Sequence, residues 1–484
     1  MSATGAVAAV DLGATSGRVM LARVGPGRIA MRQVARFAND PLPLWHGDRE
    51  ALHWDLPGLY RHIGRGLAEA ARLEPGLLSA GIDSWAIDYG LLRHGAPLGL
   101  PYHYRDTRSA AGVAAVHAVV HPDELYRRNG LQFLPFTTIY QLTTDRLRGA
   151  LESADEALLI PDLLGYWLTG VRVTERTNAS TTGLLGSAGR WDDEVRTRLG
   201  LPDLFPDVVE PGTTLGPVLP GVAAAFGLDR ALTLSTVASH DTASAVAAVP
   251  MTPDTAAYIS CGTWGLVGVE LPAPLISAPG REANFTNEAG LDGRTRYLRN
   301  VMGLWLLSES VRHWQRTGGN TVDLARLLAA AADAPAPAAV FDVDDPMFLT
   351  PGDMPARIAG WYTTRALPAP DGPVPMVRAI VESLAAAFAA GVRTAQELTG
   401  IPVRTIHLVG GGARNGLLCR LLAEHAGVPV LAGPVEATSL GNILVQARTH
   451  GLLHGDVDAL RAEVTAAFPP QRYEPRTEPV RKAG

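Results

Sequence analysis

The chain has 484 residues, 47% hydrophobic and 19% charged, which supports a substantial core and is too long for one ordinary domain, so two are expected. Its formal net charge is −6 with acids and bases interspersed and no basic stripe, which speaks against nucleic acid or an anionic membrane as the main partner. Lys482 is the only lysine, so a Walker A loop, a protein-kinase site and a Schiff-base site cannot be built, and phosphate binding must rest on backbone N–H groups, arginine and metal.

In chain order, residues 7–10 read as an apolar strand, Asp11-Leu12-Gly13-Ala14-Thr15-Ser16-Gly17-Arg18 as a turn, and 19–24 as a second strand. The tip of such a hairpin can aim backbone N–H groups and the Thr15 and Ser16 hydroxyls at a phosphate, with Asp11 placed to hold Mg2+ directly or through water. Alone, an ordinary hairpin turn explains it equally well. Helical patterns cover 56–72, 110–119 and 138–148, and 78–87 reads as a strand ending near Trp85. Asp83-Ser84-Trp85-Ala86 and Tyr104-Arg105-Asp106-Thr107-Arg108 set polar residues beside aromatics, which suits a sugar with its hydroxyls and apolar C–H faces. The simpler reading of Arg105, Asp106 and Arg108 is a solvated loop with surface ion pairs.

A strand over 233–238 runs into Ser239-His240-Asp241-Thr242 at the start of a small-residue helix. Aspartate is a preferred N-cap; the other reading of Asp241 is a general base kept ionised by the helix dipole. His240 reads most simply as a satisfied, half-buried histidine. After Pro250 and Pro253, a strand over 256–260, the turn Cys261-Gly262-Thr263-Trp264-Gly265 and a strand over 266–270 repeat the N-terminal plan, which places a domain boundary near residue 250 and makes Thr263 a candidate phosphate donor. Helices over 304–315 and 377–398 follow; the alanine-rich run 384–392 reads as core, and no apolar run reaches the ~20 residues that span a bilayer. A buried strand over 405–409 leads to Gly410-Gly411-Gly412-Ala413-Arg414-Asn415 and a helix over 415–426. Three glycines exceed what a tight turn requires, and the helix N-terminus favours an anion. From Pro469 the chain reads as a loose polar tail. Only two cysteines, Cys261 and Cys419, and no basic segment ahead of an apolar N-terminal run point to a reducing, cytoplasmic setting.

These segments resemble the FGGY carbohydrate kinases from about residue 7 to 447. The resemblance is carried by AVDLGATSGRVMLA (9–22), GIDSWAIDYGLL (81–92), YRDTRS (104–109), LQFLPFTTIYQL (131–142), TNASTTGLL (177–185), ASHDTASAV (238–246), SCGTWGLVGVE (260–270), NVMGLWLL (300–307), LVGGGARN (408–415) and AGPVEATSLGNI (432–443). It implies an α/β fold of two ribonuclease H-like, actin-like ATPase domains around an interdomain cleft. The first, 1–248, would carry the sugar site, the first phosphate hairpin and the catalytic aspartate; the second, 249–468, the second hairpin and the nucleotide; 469–484 would be a tail. It implies ATP contacts at Ala14, Thr15, Ser16, Gly17, Arg18, Thr263, Ser308, Gly411, Gly412 and Asn415. Sugar contacts fall at Trp85, Ala86, Arg105, His240, Asp241, Thr242 and Asn300. Asp241 would be the proton acceptor, and Asp11 and Asp241 would hold the Mg2+ that accompanies ATP. Ser308 stands where the family often places a nucleotide-contacting glutamine, and Ala86 where glycine is common. The implied reaction is transfer of the ATP γ-phosphate to L-rhamnulose, with L-fuculose or D-xylulose as the nearest alternatives. An actin- or chaperone-like nucleotide switch is a further one, but the chain leaves no room for the peptide-binding module it would need. The partners implied are a small ketose and ATP, with the chain a monomer or homodimer.

Overall fold

The computed structural model describes residues 4–318 and 321–476; Lys482 lies outside them. The chain packs as two compact units: Met1–Pro250, Glu270–Tyr297 and Ala437–Ala467 form the first, and Met251–Val269, Leu298–Glu436 and Phe468–Gly484 the second. Residues 270–297 and 437–467 therefore pack with the N-terminal part of the chain although they follow residue 250.

The first unit is built on β1 (Gly5–Leu12), β2 (Ser16–Gly25), β3 (Arg28–Ala38), β4 (Leu77–Ser84), β5 (Thr214–Pro217) and β6 (Thr233–Ser235), in the order β5-β6-β4-β1-β2-β3. β1 and β2 form the expected antiparallel hairpin, and β4 runs parallel to β1. β1 is small and apolar almost without alternation because both its faces are covered. Ala8, Val10 and Leu12 pack with Leu59, Ile63 and Leu67 of helix α1 (Leu56–Leu73). Asp11, on the other face, meets a later helix described below. α1 is capped by Asp55, whose carboxylate accepts from Gly58 N at 3.0 Å, with Pro57 in its first turn. Helices α2 (Ala110–Val119) and α3 (Thr138–Leu147) follow as the periodicity predicts, and α4 (Asp241–Ala247) starts just after β6.

The second unit repeats the plan. β7 (Ala256–Cys261) and β8 (Trp264–Leu271) pair antiparallel, and β11 (Thr405–Val409) runs parallel to β7; β9 (Thr286–Ala289) belongs to the first unit, and β10 (Thr295–Met302) adjoins β8. β12 (Val430–Ala432) is parallel to β11, and β13 (Gln471–Tyr473) is antiparallel to β12. The duplicated hairpin-plus-parallel-strand sheet is the two-domain α/β architecture expected of the sequence.

Helices α5 (Trp305–Gly318), α6 (Pro373–Thr399), α7 (Gly416–Ala426), α8 (Ala437–Thr449) and α9 (Val457–Ala467) complete the elements used below. α6, at 27 residues, is longer than the run that announced it; it is long and apolar enough by length and composition to cross a membrane, but most of its apolar stretch is buried inside the unit. The tail is also corrected: residues 471–473 are not loose but dock as the edge strand β13. Their backbone pairs with β12, an interaction that the polar side chains do not announce.

Candidate active site

Three strand ends converge in the first unit. Parallel register sets Asp11 of β1 opposite Asp83 of β4. Ser84 forms a parallel bridge to His240, its N–H donating to Ser239 O at 2.9 Å. Asp11, Asp83 and Asp241 thus face one another. The Asp83 carboxyl is pushed well above its usual range, first by complete burial and then by the negative charges of Asp11 and Asp241; the Asn442 amide and Arg18 oppose the rise. Asp83 Oδ1 is buried without a hydrogen-bond partner. Arg18 Nε lies 3.6 Å from Asp11 Oδ2.

α8 supplies the neutral side of this cluster. Ser439 Oγ donates to Asp11 Oδ2 at 2.8 Å, Asn442 Nδ2 to Asp83 Oδ2 at 2.7 Å, and Gln446 Nε2 to Asn442 Oδ1 at 2.6 Å and Ala8 O at 2.9 Å. Spacings of three and four residues put these side chains on one helix face, which explains a run of buried polar groups in an otherwise apolar helix. Neither Asp83 as a member of the acidic group nor this stripe was singled out from the sequence. The signal was a Ser, Asn and Gln recurring at helical period among buried residues.

Asp241 is the first residue of α4, and the N-cap position is His240, which makes no side-chain cap. The capping role open to Asp241 is therefore not taken. Its carboxylate, 30% exposed, accepts from Thr242 Oγ1 at 3.0 Å and lies 3.4 Å from His240 Nε2. The backbone leading into it is pinned by buried Glu175, whose Oε2 accepts from Ser239 N at 3.0 Å and Ser239 Oγ at 2.6 Å, and by Thr177 Oγ1, which accepts from His240 N at 3.2 Å. Residues 175–178 thus form the seat of the Ser239–Asp241 segment, a role invisible at 64 residues' separation.

The two expected sugar segments are more deeply built than the sequence indicated. The Trp85 side chain is buried against Trp54, ring centroids 3.9 Å apart, and its Nε1 donates to Asp88 Oδ2 at 3.1 Å; Ala86 is half-buried beside it. Asp88 also accepts from Trp54 Nε1 at 2.6 Å and Gln141 Nε2 at 2.8 Å, yet burial pushes its carboxyl up to about 6. The solvated loop of surface ion pairs is overturned for Asp106 and Arg108. Asp106 is buried and takes both Arg49 guanidinium nitrogens at 2.9 and 3.1 Å. Arg108, 6% exposed, pairs with Asp145, donates to Gln141 Oε1 at 3.1 Å and stacks 3.9 Å from the Tyr102 ring centre. Gln141 and Asp145, on the buried face of α3, turn this loop inward. Arg105 is half-buried, its guanidinium 5.2 Å from the Tyr104 ring centre.

At the first hairpin tip, Ala14, Thr15 and Ser16 are half-exposed, and buried Asn39 holds the turn by donating its N–H to Thr15 O at 3.1 Å and its Nδ2 to Gly13 O at 2.8 Å. Gly17 is buried in β2 at its base.

In the second unit the other hairpin, the glycine turn and the segment 303–305 come together. Leu304 N donates to Gly262 O at 2.8 Å and Trp305 N to Thr263 O at 3.3 Å. A Cβ on Gly303 would sit 2.5 Å from Trp264 C and 2.7 Å from Gly262 O, so the hairpin backbone rests directly on this glycine. A Cβ on Gly412 would meet Cys261 Sγ at 2.5 Å, so the triple-glycine turn lies on the end of β7. Gly411 opens the short helical turn Gly411–Arg414, and Asn415 caps α7, its Oδ1 accepting from Leu418 N at 3.1 Å, while its Nδ2 is buried without a partner. Asn300 is half-buried on β10, and Ser308 is exposed in the first turn of α5.

Two family models match the chain, the N-terminal domain of the FGGY family of carbohydrate kinases over residues 93–248 and its C-terminal domain over residues 257–450. The rhamnulokinase of Pectobacterium carotovorum subsp. carotovorum is 40% identical, covering 98% of this chain and 93% of its own length; that of Enterococcus faecalis is 39% identical, covering 96% and 93%. Among solved structures, the gluconate kinase of Lactobacillus acidophilus superposes with a TM-score of 0.76 at 18% identity, covering 98% of this chain and 94% of that one. With two hairpin-based units, matches to both family domains and these near full-length relatives, the chain belongs to the FGGY family of carbohydrate kinases and groups with its rhamnulokinases.

Proposed function

We propose that this carbohydrate kinase transfers the γ-phosphate of ATP to the C1 hydroxyl of L-rhamnulose, a step in L-rhamnose breakdown. The observation that carries the choice of sugar is the 40% identity, over nearly the whole chain, to an enzyme named for that substrate. In this reading Asp241 takes the proton of the attacking hydroxyl. His240, Thr242, Ala86, Arg105, Asn300 and the Trp85 backbone contact the ketose. The turn from Ala14 to Arg18, Thr263, Ser308, Gly411, Gly412 and Asn415 serve the nucleotide. Backbone N–H groups and Arg18 stand in for the lysine that other phosphate sites use.

The acidic group fits the Mg2+ that accompanies ATP. Asp83 feels the negative charges of Asp11 and Asp241 there and has a buried oxygen without a partner. Among the described residues no group of three acids, histidines or cysteines is placed to ligate an ion. Asp11 and Asp241 would hold the Mg2+. When bound, it supplies positive charge to the transferring phosphate. The chain's own groups do the rest: Asp241 accepts the proton, and Ser439 and Arg18 keep Asp11 oriented.

The reading carries with it a cytoplasmic enzyme of small molecules, monomer or homodimer. Its two cysteines are free and buried, with no disulfide between them. The test is ADP release with purified protein, ATP and a ketose panel. L-rhamnulose is expected to exceed L-fuculose and D-xylulose in kcat/KM by about tenfold or more. Equal or better turnover of another ketose would reassign the substrate.

Gly303→Ala tests the nucleotide assignment. Because the atoms it would strike are backbone, the Thr263 turn must move. The KM for ATP is expected to rise about tenfold while that for the ketose stays within about twofold, measured by varying each substrate in turn. An unchanged KM for ATP would remove the Thr263 turn from the nucleotide site.

A further inference from the structure

Behind His240 lies a charge pair that the chemistry above leaves unused. Arg296 is fully buried; its Nη1 is 3.0 Å from Glu288 Oε2, its Nε donates to Ala289 O at 3.0 Å, and its Nη2 is 3.0 Å from His240 Nδ1. Glu288 Oε2 is 3.4 Å from the same ring nitrogen. Burial works against a charged Glu288, yet its carboxyl lies below its usual value, the Arg296 charge being the largest cause that opposes burial.

A guanidinium has five donors and no acceptor. At 3.0 Å, Arg296 Nη2 therefore needs a lone pair on His240 Nδ1, and the proton of the neutral ring goes to Nε2. The opposite tautomer meets two conflicts. Its Nδ1–H would face the Arg296 N–H, and its Nε2 lone pair would face Asp241 Oδ1 at 3.4 Å, acceptor against acceptor. The Arg296 and Asp241 contacts favour the same ring state; Glu288 Oε2, 3.4 Å from Nδ1, is paired at the shorter distance of 3.0 Å with Arg296 Nη1. Apolar residues could fill the space of a buried ion pair at little cost in stability, so stability alone does not account for Glu288 and Arg296.

We infer that Arg296, charge-balanced by Glu288, is a positioning residue that fixes His240 as an Nε2–H donor beside Asp241, where it holds an oxygen of the acceptor ketose. The inference rests on the reading that His240 and Asp241 line the ketose site. In that arrangement the base and the donor are set side by side, so the sugar is gripped at one oxygen while its neighbouring hydroxyl loses its proton.

The experiment pairs kinetics with a spectroscopic readout. Replacing both partners, Glu288→Gln with Arg296→Met, avoids leaving a buried charge unpaired. The double variant is expected to raise the KM for L-rhamnulose about tenfold and leave the KM for ATP within about twofold. Arg296→Lys, which keeps a charged donor, is expected to recover part of the loss. In long-range proton–nitrogen spectra of protein labelled with 15N-histidine, the His240 ring, identified by the signals missing in His240→Gln, is expected to carry its proton on Nε2. A wild-type His240 protonated on Nδ1 overturns the inference, and so does an unchanged ketose KM in a folded double variant. If the double variant does not fold, the wild-type spectrum and Arg296→Lys decide. Failure of the underlying site reading looks different: Asp241→Asn and His240→Gln would then leave both ketose KM and turnover untouched.

Discussion

Asp241→Asn is expected to lower kcat by about 10²–10⁴-fold, the usual contribution of a positioned general base, while leaving the fold intact. The substitution is nearly isosteric, and the asparagine oxygen can still accept from Thr242 Oγ1, which lies 3.0 Å from Asp241 Oδ1. Stability should change little for two reasons. The side chain is partly exposed, so no buried charge is orphaned, and it does not cap α4, because His240 occupies the N-cap position. Neutralising Asp241 should also relax Asp83, whose carboxyl is raised by burial and by the charges of Asp11 and Asp241. A loss of activity can therefore be read as lost chemistry rather than lost structure. The comparison is kcat at saturating ATP and ketose beside the thermal unfolding midpoint. A fall of less than about tenfold with an unchanged midpoint would remove the general-base role.

The parts of this molecule that could be read from sequence are those in which neighbours in the chain are neighbours in space. The hairpin of β1 and β2 is one, since small apolar strands flank a turn rich in glycine and hydroxyls; its counterpart of β7 and β8 is another. Asp241 stood out because a strand, a short polar run and a small-residue helix follow one another directly. What stayed hidden depends on distant partners. Asn442 reaches Asp83 across 359 residues and Ser439 reaches Asp11 across 428, so the α8 stripe had no local sign of its purpose. Arg296 meets His240 across 56 residues from a strand whose own pattern says only that it is buried.

Arg108 misled for a different reason. A charged residue in a loop is usually solvated, and only the arrival of Asp145, Gln141 and Tyr102 makes its burial tolerable. Backbone pairing is equally silent in side chains: β13 carries Gln471 and Arg472, which read as tail, yet its main chain completes a sheet. Trp85 was correctly placed at the end of β4, but its indole serves Asp88 and Trp54 rather than an open pocket.

Gly441→Ala is expected to damage both stability and turnover, because two helices of the site touch at this residue. A Cβ there would lie 1.8 Å from Ser244 O and 2.5 Å from Ser244 C, both backbone atoms of α4. No rotamer change can relieve such a contact; α8 or α4 must move. α4 begins with Asp241, and α8 holds Asp11 through Ser439 and Asp83 through Asn442. A shift of either helix therefore changes the spacing of all three carboxylates. Overpacking of this kind costs about 1–3 kcal/mol, and displacement of a reacting group by about 1 Å can cost about 10²-fold in rate. The same substitution at Gly360, within the helix Met354–Thr363, meets nothing within 4 Å and should be neutral or slightly stabilising, since alanine is the better helix former. Denaturant unfolding of the two variants, with kcat measured well below the midpoint of each, separates the effects. A Gly441→Ala protein with wild-type turnover would mean that α4 and α8 can part without moving the carboxylates, and that their packing does not set the geometry of the site.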